Sequence, residues 1–289
     1  MSKKVLICGW FSFDEAIATI GDLEGCEVVE QWVRETGRQY DIAMAPYMQY
    51  GEDWRQVNPA EYDLLIFTTG PLKENELVNE LLERFNHCTK WAVNVSLIHL
   101  SMLDKFDRVW VRDSKRVIRP EMAFVGQTRL QPLVAVAYAP PQSEYPAGRH
   151  DLVRTMIHNW LETRQLAAVE LDMDMFAEHT YPRTPAQIES IIAKADVVVS
   201  MRLHATVLGL KYGKPVIACD PVSGGAKIYR QARHLRWPHV ILPDDLSQTK
   251  LDQALQTCLS KPAAKQATAS RQLALKELAA LEKEFKDAL

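Results

Sequence analysis

The chain contains no apolar run that approaches the roughly 20 residues needed for a transmembrane helix. It also lacks Gly-x-Gly-x-x-Gly, His-Glu-x-x-His and Gly-x-Ser-x-Gly, the patterns of common dinucleotide, zinc-protease and serine-hydrolase sites. Cysteine is scarce, and no two cysteines are spaced like a zinc or redox pair. The five are Cys8, Cys26, Cys88, Cys219 and Cys258. This odd, scattered set fits a reducing compartment.

The chain has no excess of charge of one sign, because 34 Lys and Arg face 37 Asp and Glu, for a net charge of −3. A near-neutral balance argues against a strongly basic nucleic-acid surface, so we expect no nucleic-acid partner. The polar start Met1–Lys4 leads directly into an apolar strand, which does not resemble a signal peptide. Together with the cysteine pattern, this predicts a cytoplasmic protein.

Apolar strands alternate with helical segments along the chain, which predicts an α/β fold with doubly wound parallel sheets. In the first half, strands are expected at 5–9, 27–33, 40–46, 62–70, 90–96 and 108–113, with helices at 13–23 and 74–86. The pattern breaks around 119–132, where Pro120, Gly126 and Pro132 stand. With 289 residues, the chain suits two domains of ordinary size. We therefore predict domains at 1–125 and 126–243, followed by a helical tail at 244–289.

The most informative stretch is 195–206, an apolar strand followed by a turn and the start of a helix. Ser200, Arg202 and His204 come just after the strand. Ligands of open α/β sheets bind beyond the carboxyl ends of strands, at the N-termini of the following helices. Arginine supplies a planar cation for carboxylate or phosphate, and histidine a proton that moves near neutral pH. The alternative is a surface turn without a ligand.

A second candidate anion site follows the next strand, where Ser223, Gly224, Gly225 and Lys227 open a helix. Backbone N–H groups of such a turn, with the lysine charge, can cradle a phosphate. A plain glycine-rich turn is the alternative. The loop at 173–184 also follows a strand, and its His179, Tyr181 and Arg183 make it a candidate for acceptor contacts.

Charged side chains in the first half have two interpretations each. Asp14 and Glu15 stand in the first turn of the helix expected at 13–23, where they either complement the helix dipole or face a cleft as base or ligand. Arg112 and Asp113 end a strand. They either form an internal salt bridge or present Arg112 to an anionic ligand.

The strand followed by Ser200 and by Arg202-Leu203-His204-Ala205, then a helix and Gly213-Lys214-Pro215-Val216-Ile217, resembles the polysaccharide pyruvyl transferase family. Three weaker segments are similar to the family's other motifs, namely 13–17, Val111-Arg112-Asp113-Ser114, and Asp220-Pro221 with Lys227. The resemblance implies Rossmann-like domains in a GT-B-like arrangement, with the C-terminal tail packing back across them.

The resemblance also implies a reaction, the transfer of a pyruvyl group from phosphoenolpyruvate to sugar or glycan hydroxyls as a ketal. Arg202, Lys227 and Arg112 would hold the anionic donor, together with Ser200 and the turn Ser223-Gly224-Gly225. His204 would supply a proton, and Asp14 or Glu15 would accept one. The first domain would then be the acceptor side and the second the donor side, with no metal or other cofactor.

Two alternatives stay open: a GT-B-type glycosyltransferase that uses a nucleotide sugar, and a catalytically silent relative that binds an anionic ligand or a partner protein. The oligomeric state is open as well. The apolar positions of the tail, Leu273, Leu275, Leu278 and Leu281, do not keep a strict heptad. We therefore favour packing of the tail over a coiled-coil dimer arm.

Overall fold

The computed structural model describes residues 3–174, 182 and 184–289. His179, Tyr181 and Arg183, the candidates for acceptor contacts, lie outside these residues. The chain divides into two compact units, Met1–Arg129 (unit 1) and Leu130–Leu289 (unit 2).

Unit 1 is built on a six-stranded sheet in which every strand pair is parallel. Its strands are β1 (Lys4–Cys8), β2 (Tyr40–Ile42), β3 (Tyr62–Thr68), β4 (Pro71–Leu72), β5 (Thr89–Leu97) and β6 (Arg108–Asp113), and its helices are α1 (Ile20–Glu35) and α2 (Glu76–Arg84). The order is β2-β1-β3-β5, with β6 beside β5. The short β4 pairs with β5 just beyond the segment that pairs with β3.

Side chains of β1 alternate between the two faces of this sheet, as the period of a strand requires. Val5 and Ile7 pack in one core with residues of α1, whereas Leu6 and Cys8 pack in the other with residues of α2. Both faces of the strand are fully buried, which explains the continuous apolar run.

Two predictions for this unit are wrong. Residues 27–33, expected as a strand, lie in α1, and the helix expected at 13–23 begins only at Ile20. Thr19 and Asp22 form a reciprocal capping box that fixes this start. Val28, Val29 and Val33 then share the buried face of the helix, so β-branched residues follow the helical period here. Asp14 and Glu15 consequently stand in an exposed turn ahead of the helix.

Unit 2 holds a five-stranded sheet, again with every pair parallel. Its strands are β7 (Leu133–Ala137), β8 (Ala167–Glu170), β9 (Val197–Ser200), β10 (Val216–Cys219) and β11 (Val240–Ile241), in the order β11-β10-β9-β7-β8. Its helices are α3 (His150–Glu162), α4 (Pro185–Lys194), α5 (Leu203–Lys211), α6 (Lys227–His234), α7 (Gln248–Cys258) and α8 (Lys261–Asp287). Thr184 and Gln187 cap α4 reciprocally, as their spacing predicts.

In both sheets, the chain begins to add strands on the opposite side of the first strand at the same point in the strand order. In each, the first strand lies between the second and the third, so the chain switches sides between β1 and β3 and again between β7 and β9. Such a switch opens a crevice at the carboxyl ends of the two strands, where ligands of open α/β sheets bind. The predicted fold class, two parallel-sheet α/β units with a C-terminal helical tail, is confirmed.

The tail is more helical than the sequence indicates. Pro262 stands in the first turn of α8, where a proline needs no backbone N–H because no intrahelical acceptor is available there. Ser260 caps this helix, which runs from Lys261 to Asp287. Ala263 and Ala267 are buried in the core of unit 2, whereas Leu275, Leu278, Leu281 and Phe285 are exposed. Packing of the tail across both units stays a prediction.

All five cysteines are free thiols buried within their units. Burial raises the pKa of Cys219 and of Cys258 to about 12. No helix among the described residues is both long and apolar enough to cross a membrane.

A close contact fixes α5 on the sheet of unit 2. A Cβ atom on Gly209 would lie 2.5 Å from Val216 Cγ2 and 3.2 Å from Val198 Cγ2. We therefore expect Gly209→Ala to lower the free energy of unfolding, measured by urea denaturation, by about 1–3 kcal/mol through overpacking. In the control Gly21→Ala in α1, the nearest atom to the new Cβ is 3.8 Å away, so no loss is expected. Equal losses in both variants would contradict this contact as the cause.

Candidate functional site

The turn after β9 stands at the switch point of unit 2 and is held by its own side chains. The buried Ser200 hydroxyl donates to the carbonyl oxygen of Arg202 at 2.7 Å and accepts the Arg202 backbone N–H at 3.0 Å. Thr206 Oγ1 also donates to that carbonyl, at 2.9 Å. These bonds end the strand and start α5, with Arg202 as its N-cap residue. Contact of Ser200 with a ligand stays a prediction.

The Arg202 guanidinium joins the two strands that flank the switch point. Its Nε donates to the carbonyl oxygen of Tyr138, just after β7, at 2.8 Å. Its two terminal nitrogens donate to the two carboxylate oxygens of Asp174, at 2.8 and 2.5 Å. Only 17% of this side chain is exposed. The fork is therefore oriented for a carboxylate, and it already holds one from its own chain.

His204 lies in the first turn of α5, two residues after Arg202, and is exposed. The start of the helix thus carries a cation with fixed partners and, two residues further on, an accessible imidazole. An imidazole can exchange a proton near neutral pH, so this pair suits an anionic substrate that must gain a proton.

Asp220, immediately after β10, is a buried carboxylate that organises the neighbouring turn. It accepts the backbone N–H groups of Val222 at 3.1 Å, Ala226 at 2.8 Å and Tyr229 at 2.9 Å. The resemblance pointed to this aspartate, but its role as the cap of α6 was not predicted, because its partners lie up to nine residues away.

The glycine turn predicted to cradle phosphate lies between Asp220 and α6. Ser223 is exposed, and Gly224 and Gly225 both have positive φ angles, 78° and 83°. The N–H groups of Ala226 and Tyr229 already bind Asp220. An anion here would therefore depend on the remaining backbone groups and on Lys227.

Lys227 ties the start of α6 to the loop that follows β7. Its Nζ donates to Gln142 Oε1 at 2.9 Å and lies 3.6 Å from a carboxylate oxygen of Glu144. The same atom lies 5.5 Å from the centre of the Tyr145 ring. The predicted cation is thus present at the carboxyl edge of the sheet, with partners of its own.

A small cleft of about 10 Å³ connects Lys227 to the turn after β9, because Met201, Asp220, Lys227 and His150 all line it. This volume admits a group about the size of one water. His150 is buried, and its Nδ1 has no hydrogen-bond partner among the described residues. Burial lowers the pKa of this imidazole. His150 was not singled out from the sequence, since a lone histidine at a helix start carries no spacing signal.

A second, wider cleft of about 600 Å³ lies at the switch point of unit 1. Its lining includes Trp10, Glu15, Asp22, Lys73, Asn75 and Arg112. Trp10 follows β1, and its indole N–H donates to the carbonyl oxygen of Pro71 at 3.0 Å, beyond β3. The structure therefore brings the predicted Glu15 and Arg112 to one cleft. Asp14 is exposed in the same turn as Glu15.

Arg112 is held in an internal network. Its Nε donates to Asp113 at 2.7 Å, and its terminal nitrogens donate to Glu121 and to Ser96. The hydrogen bonds from Arg112 and Ser96 lower the pKa of the Asp113 carboxyl. The internal salt bridge considered from the sequence is thus present, and contact of Arg112 with a ligand stays a prediction.

No cluster of three or more His, Cys, Asp or Glu side chains within the described ranges is arranged to hold a metal ion.

Residues 143–222 match the family described as Polysaccharide pyruvyl transferase. The match confirms the predicted resemblance for this segment, which contains Ser200, Arg202 and His204. It supports, in general terms, a transferase that modifies polysaccharides. A search of curated proteins found no match.

Several solved structures align with most of this chain, at low sequence identity. The glycotransferase of kitacinnamycin is 11% identical, with a TM-score of 0.34, over 94% of this chain and 95% of the other. The UDP-GlcNAc 2-epimerase of Methanocaldococcus jannaschii is 9% identical, with a TM-score of 0.32, over 96% and 99%. The glycosyltransferase SnogD of Streptomyces nogalater is 12% identical, with a TM-score of 0.30, over 97% and 100%.

Burial of His150 makes the stability of unit 2 depend on pH. The pKa of its imidazole is below the ordinary 6.5 in the folded protein, so the unfolded chain binds the proton more readily. We expect the free energy of unfolding to be highest above pH 6.5 and to fall as the pH drops below it, in urea denaturation between pH 8 and pH 5.

Replacing His150 with glutamine should make this fall shallower, whereas His158→Gln, at an exposed position of α3, should leave it unchanged. His239, whose pKa burial also lowers, accounts for part of what remains. An identical slope in wild type and His150→Gln would contradict the assignment.

Proposed function

We propose that the protein transfers the pyruvyl group of phosphoenolpyruvate to two hydroxyls of a sugar-containing acceptor, forming a ketal. The observation that carries the proposal is the turn after β9. Within the segment that matches the family, this turn contains a carboxylate-binding arginine and, two residues later, an accessible histidine at the switch point of unit 2.

The donor would bind through exchange of ion-pair partners. Phosphoenolpyruvate carries a carboxylate, and the Arg202 fork binds the Asp174 carboxylate in the geometry that a ligand carboxylate would adopt. Donor binding then displaces Asp174, while the bond from Nε to Tyr138 keeps the guanidinium in place. Lys227 is the proposed partner of the donor phosphate, exchanging its contacts with Gln142 and Glu144.

The proposed chemistry begins with a proton from His204 to the methylene carbon, which becomes a methyl group. The central carbon turns cationic, and the first acceptor hydroxyl forms a C–O bond to it and loses its proton to a carboxylate. The bond to phosphate then breaks, and the second hydroxyl adds and loses its own proton. One of the two protons restores His204 and the other leaves on inorganic phosphate, so the balance is phosphoenolpyruvate plus diol giving ketal plus phosphate.

The acceptor is assigned to the cleft of unit 1. Sugar hydroxyls need partners that both donate and accept hydrogen bonds, and Glu15, Lys73 and Asn75 line this cleft. Glu15 is the proposed base, with Asp14 in the same turn as the second candidate. Arg55 Nη2 lies 3.8 Å from the Glu15 carboxylate.

Donor binding can be tested by calorimetric titration with phosphoenolpyruvate, together with thermal unfolding in its presence. A ligand bound by the native state alone stabilises it by about 2.7 kcal/mol at about 100 times its Kd. We expect such a shift in wild type and its loss in Arg202→Ala. The matched control is Arg164→Ala, because Arg164 makes an equivalent two-pronged ion pair with Asp252 elsewhere in unit 2.

The complementary variant is Asp174→Asn, which removes the carboxylate that competes with the donor for Arg202. We expect it to bind the donor several-fold more tightly than wild type. Asp252→Asn, which removes the partner of Arg164, is its control. Weaker binding in Asp174→Asn would show that Asp174 positions Arg202 rather than competes for it. If the wild-type protein does not bind phosphoenolpyruvate but binds a nucleotide sugar, the proposal is overturned in favour of glycosyl transfer.

Proton transfer by His204 is tested by turnover. We expect His204→Gln to bind phosphoenolpyruvate like wild type and to release phosphate, in the presence of a productive glycan acceptor, more slowly by a factor of about 100 to 10,000. His234→Gln, an exposed histidine of α6, is the control. Turnover at the wild-type rate in His204→Gln would remove this residue from the mechanism.

A further inference from the structure

Unit 1 has an apolar pocket of about 750 Å³ on the side of its sheet that α1 covers. Its walls include Trp32 from α1, Trp91 and Val93 from β5, Trp110 from β6, and Met122 and Phe124 from the segment after the sheet. This volume falls in the range of small-molecule sites, which are mostly apolar with a few polar groups at defined positions.

The pocket exists because this face of the sheet lacks a second helix among the described residues. Residues of α1 pack on β1 and β3. Beyond them, the 3₁₀ turn Met122–Val125 lines the pocket together with residues of β5 and β6. Trp110 is therefore 40% exposed and Phe124 86% exposed. Large side chains left at a concave surface mark a binding site more often than an ordinary protein exterior.

The charged groups around the pocket are mainly positive. Arg119 lines it, is exposed, and donates from Nη1 to the carbonyl oxygen of Val111 at 3.0 Å. No ion pair joins Arg119 to another described residue. Arg108 lies over the Trp91 ring, 5.6 Å from its centre. Glu121 also lines the pocket and forms an ion pair with Arg112, which it shares with Asp113.

Arg38 lines the pocket as well and forms an ion pair with Asp63. Arg119, which forms no ion pair with a described residue, thus places a positive charge at the wall of an apolar interior. That combination complements a molecule with an apolar body and an anionic group.

We propose that this pocket binds an anionic amphiphile, with its apolar chain or ring system against the three tryptophans and its carboxylate, sulfate or phosphate group at Arg119. The inference is independent of pyruvyl transfer, because it rests on residues of unit 1 that the proposed reaction does not use. A second copy of the chain is the competing occupant, and the test separates the two.

The test is a titration with dodecanoate, and with 1-dodecanol as its uncharged counterpart, both below the concentrations at which they aggregate. Trp32, Trp91 and Trp110 provide a fluorescence signal from the pocket itself. We expect saturable binding of one dodecanoate per chain. The alcohol should bind about tenfold more weakly, because a charge-assisted hydrogen bond is lost.

Two arginine variants separate head-group recognition from general charge. Arg119→Ala should lower the affinity for dodecanoate to that for dodecanol and leave the alcohol unaffected. Arg116→Ala removes an exposed arginine three residues away and should change neither affinity. Equal losses in the two variants would show attraction by overall charge and would overturn the head-group assignment.

Trp110→Ala tests the apolar wall and should weaken both ligands, with the fold confirmed by circular dichroism. The proposal is overturned if wild type binds neither ligand saturably. It is also overturned if sedimentation shows a dimer that Trp110→Asp dissociates, since the face would then be covered by a second chain.

Discussion

Parallel pairing of every strand is the constraint on which the candidate sites depend. A parallel sheet gathers the carboxyl ends of its strands at one edge, and the helices that follow begin there. In unit 2 this edge collects the turn with Arg202, the buried Asp220 and the start of α6 with Lys227. In unit 1 it collects Trp10, Glu15 and Arg112. Within each unit, residues far apart in the sequence thus lie at one edge of the sheet, although no long-range sequence motif predicts this.

The sequence predicts this edge well where a strand, a turn and a helix are continuous. Residues 197–211 form the expected strand and helix, and the Thr184 cap follows from its spacing to Gln187. The prediction fails where the same residues fit both the helical and the strand periodicity. Residues 27–33 are such a case, because their valines suit a strand and also share one face of α1. Contacts such as Arg202 with Asp174, or Asp220 with Tyr229, depend on loop paths that local patterns do not encode.

A common feature of the predicted anion-binding cations is that each is held by partners from its own chain. Arg202 binds Asp174, Arg112 binds Asp113 and Glu121, and Lys227 binds Gln142. These partners orient the three side chains, and the carboxylates among them compensate the charge of the two arginines. Binding of the proposed donor would then be an exchange of partners, and its free energy would be the difference between two sets of contacts rather than the full value of one. Such an exchange would be selective, because a ligand would have to match the geometry of the carboxylate or amide that it replaces.

The burial of every cysteine gives the two units separate chemical reporters. A thiol reacts as its thiolate, and these thiols are enclosed, with raised pKa values at Cys219 and Cys258. Alkylation therefore requires opening of the structure around each cysteine. Unit 1 contains Cys8, Cys26 and Cys88, and unit 2 contains Cys219 and Cys258. The order in which these five sites become labelled records which unit opens first, without any engineered probe.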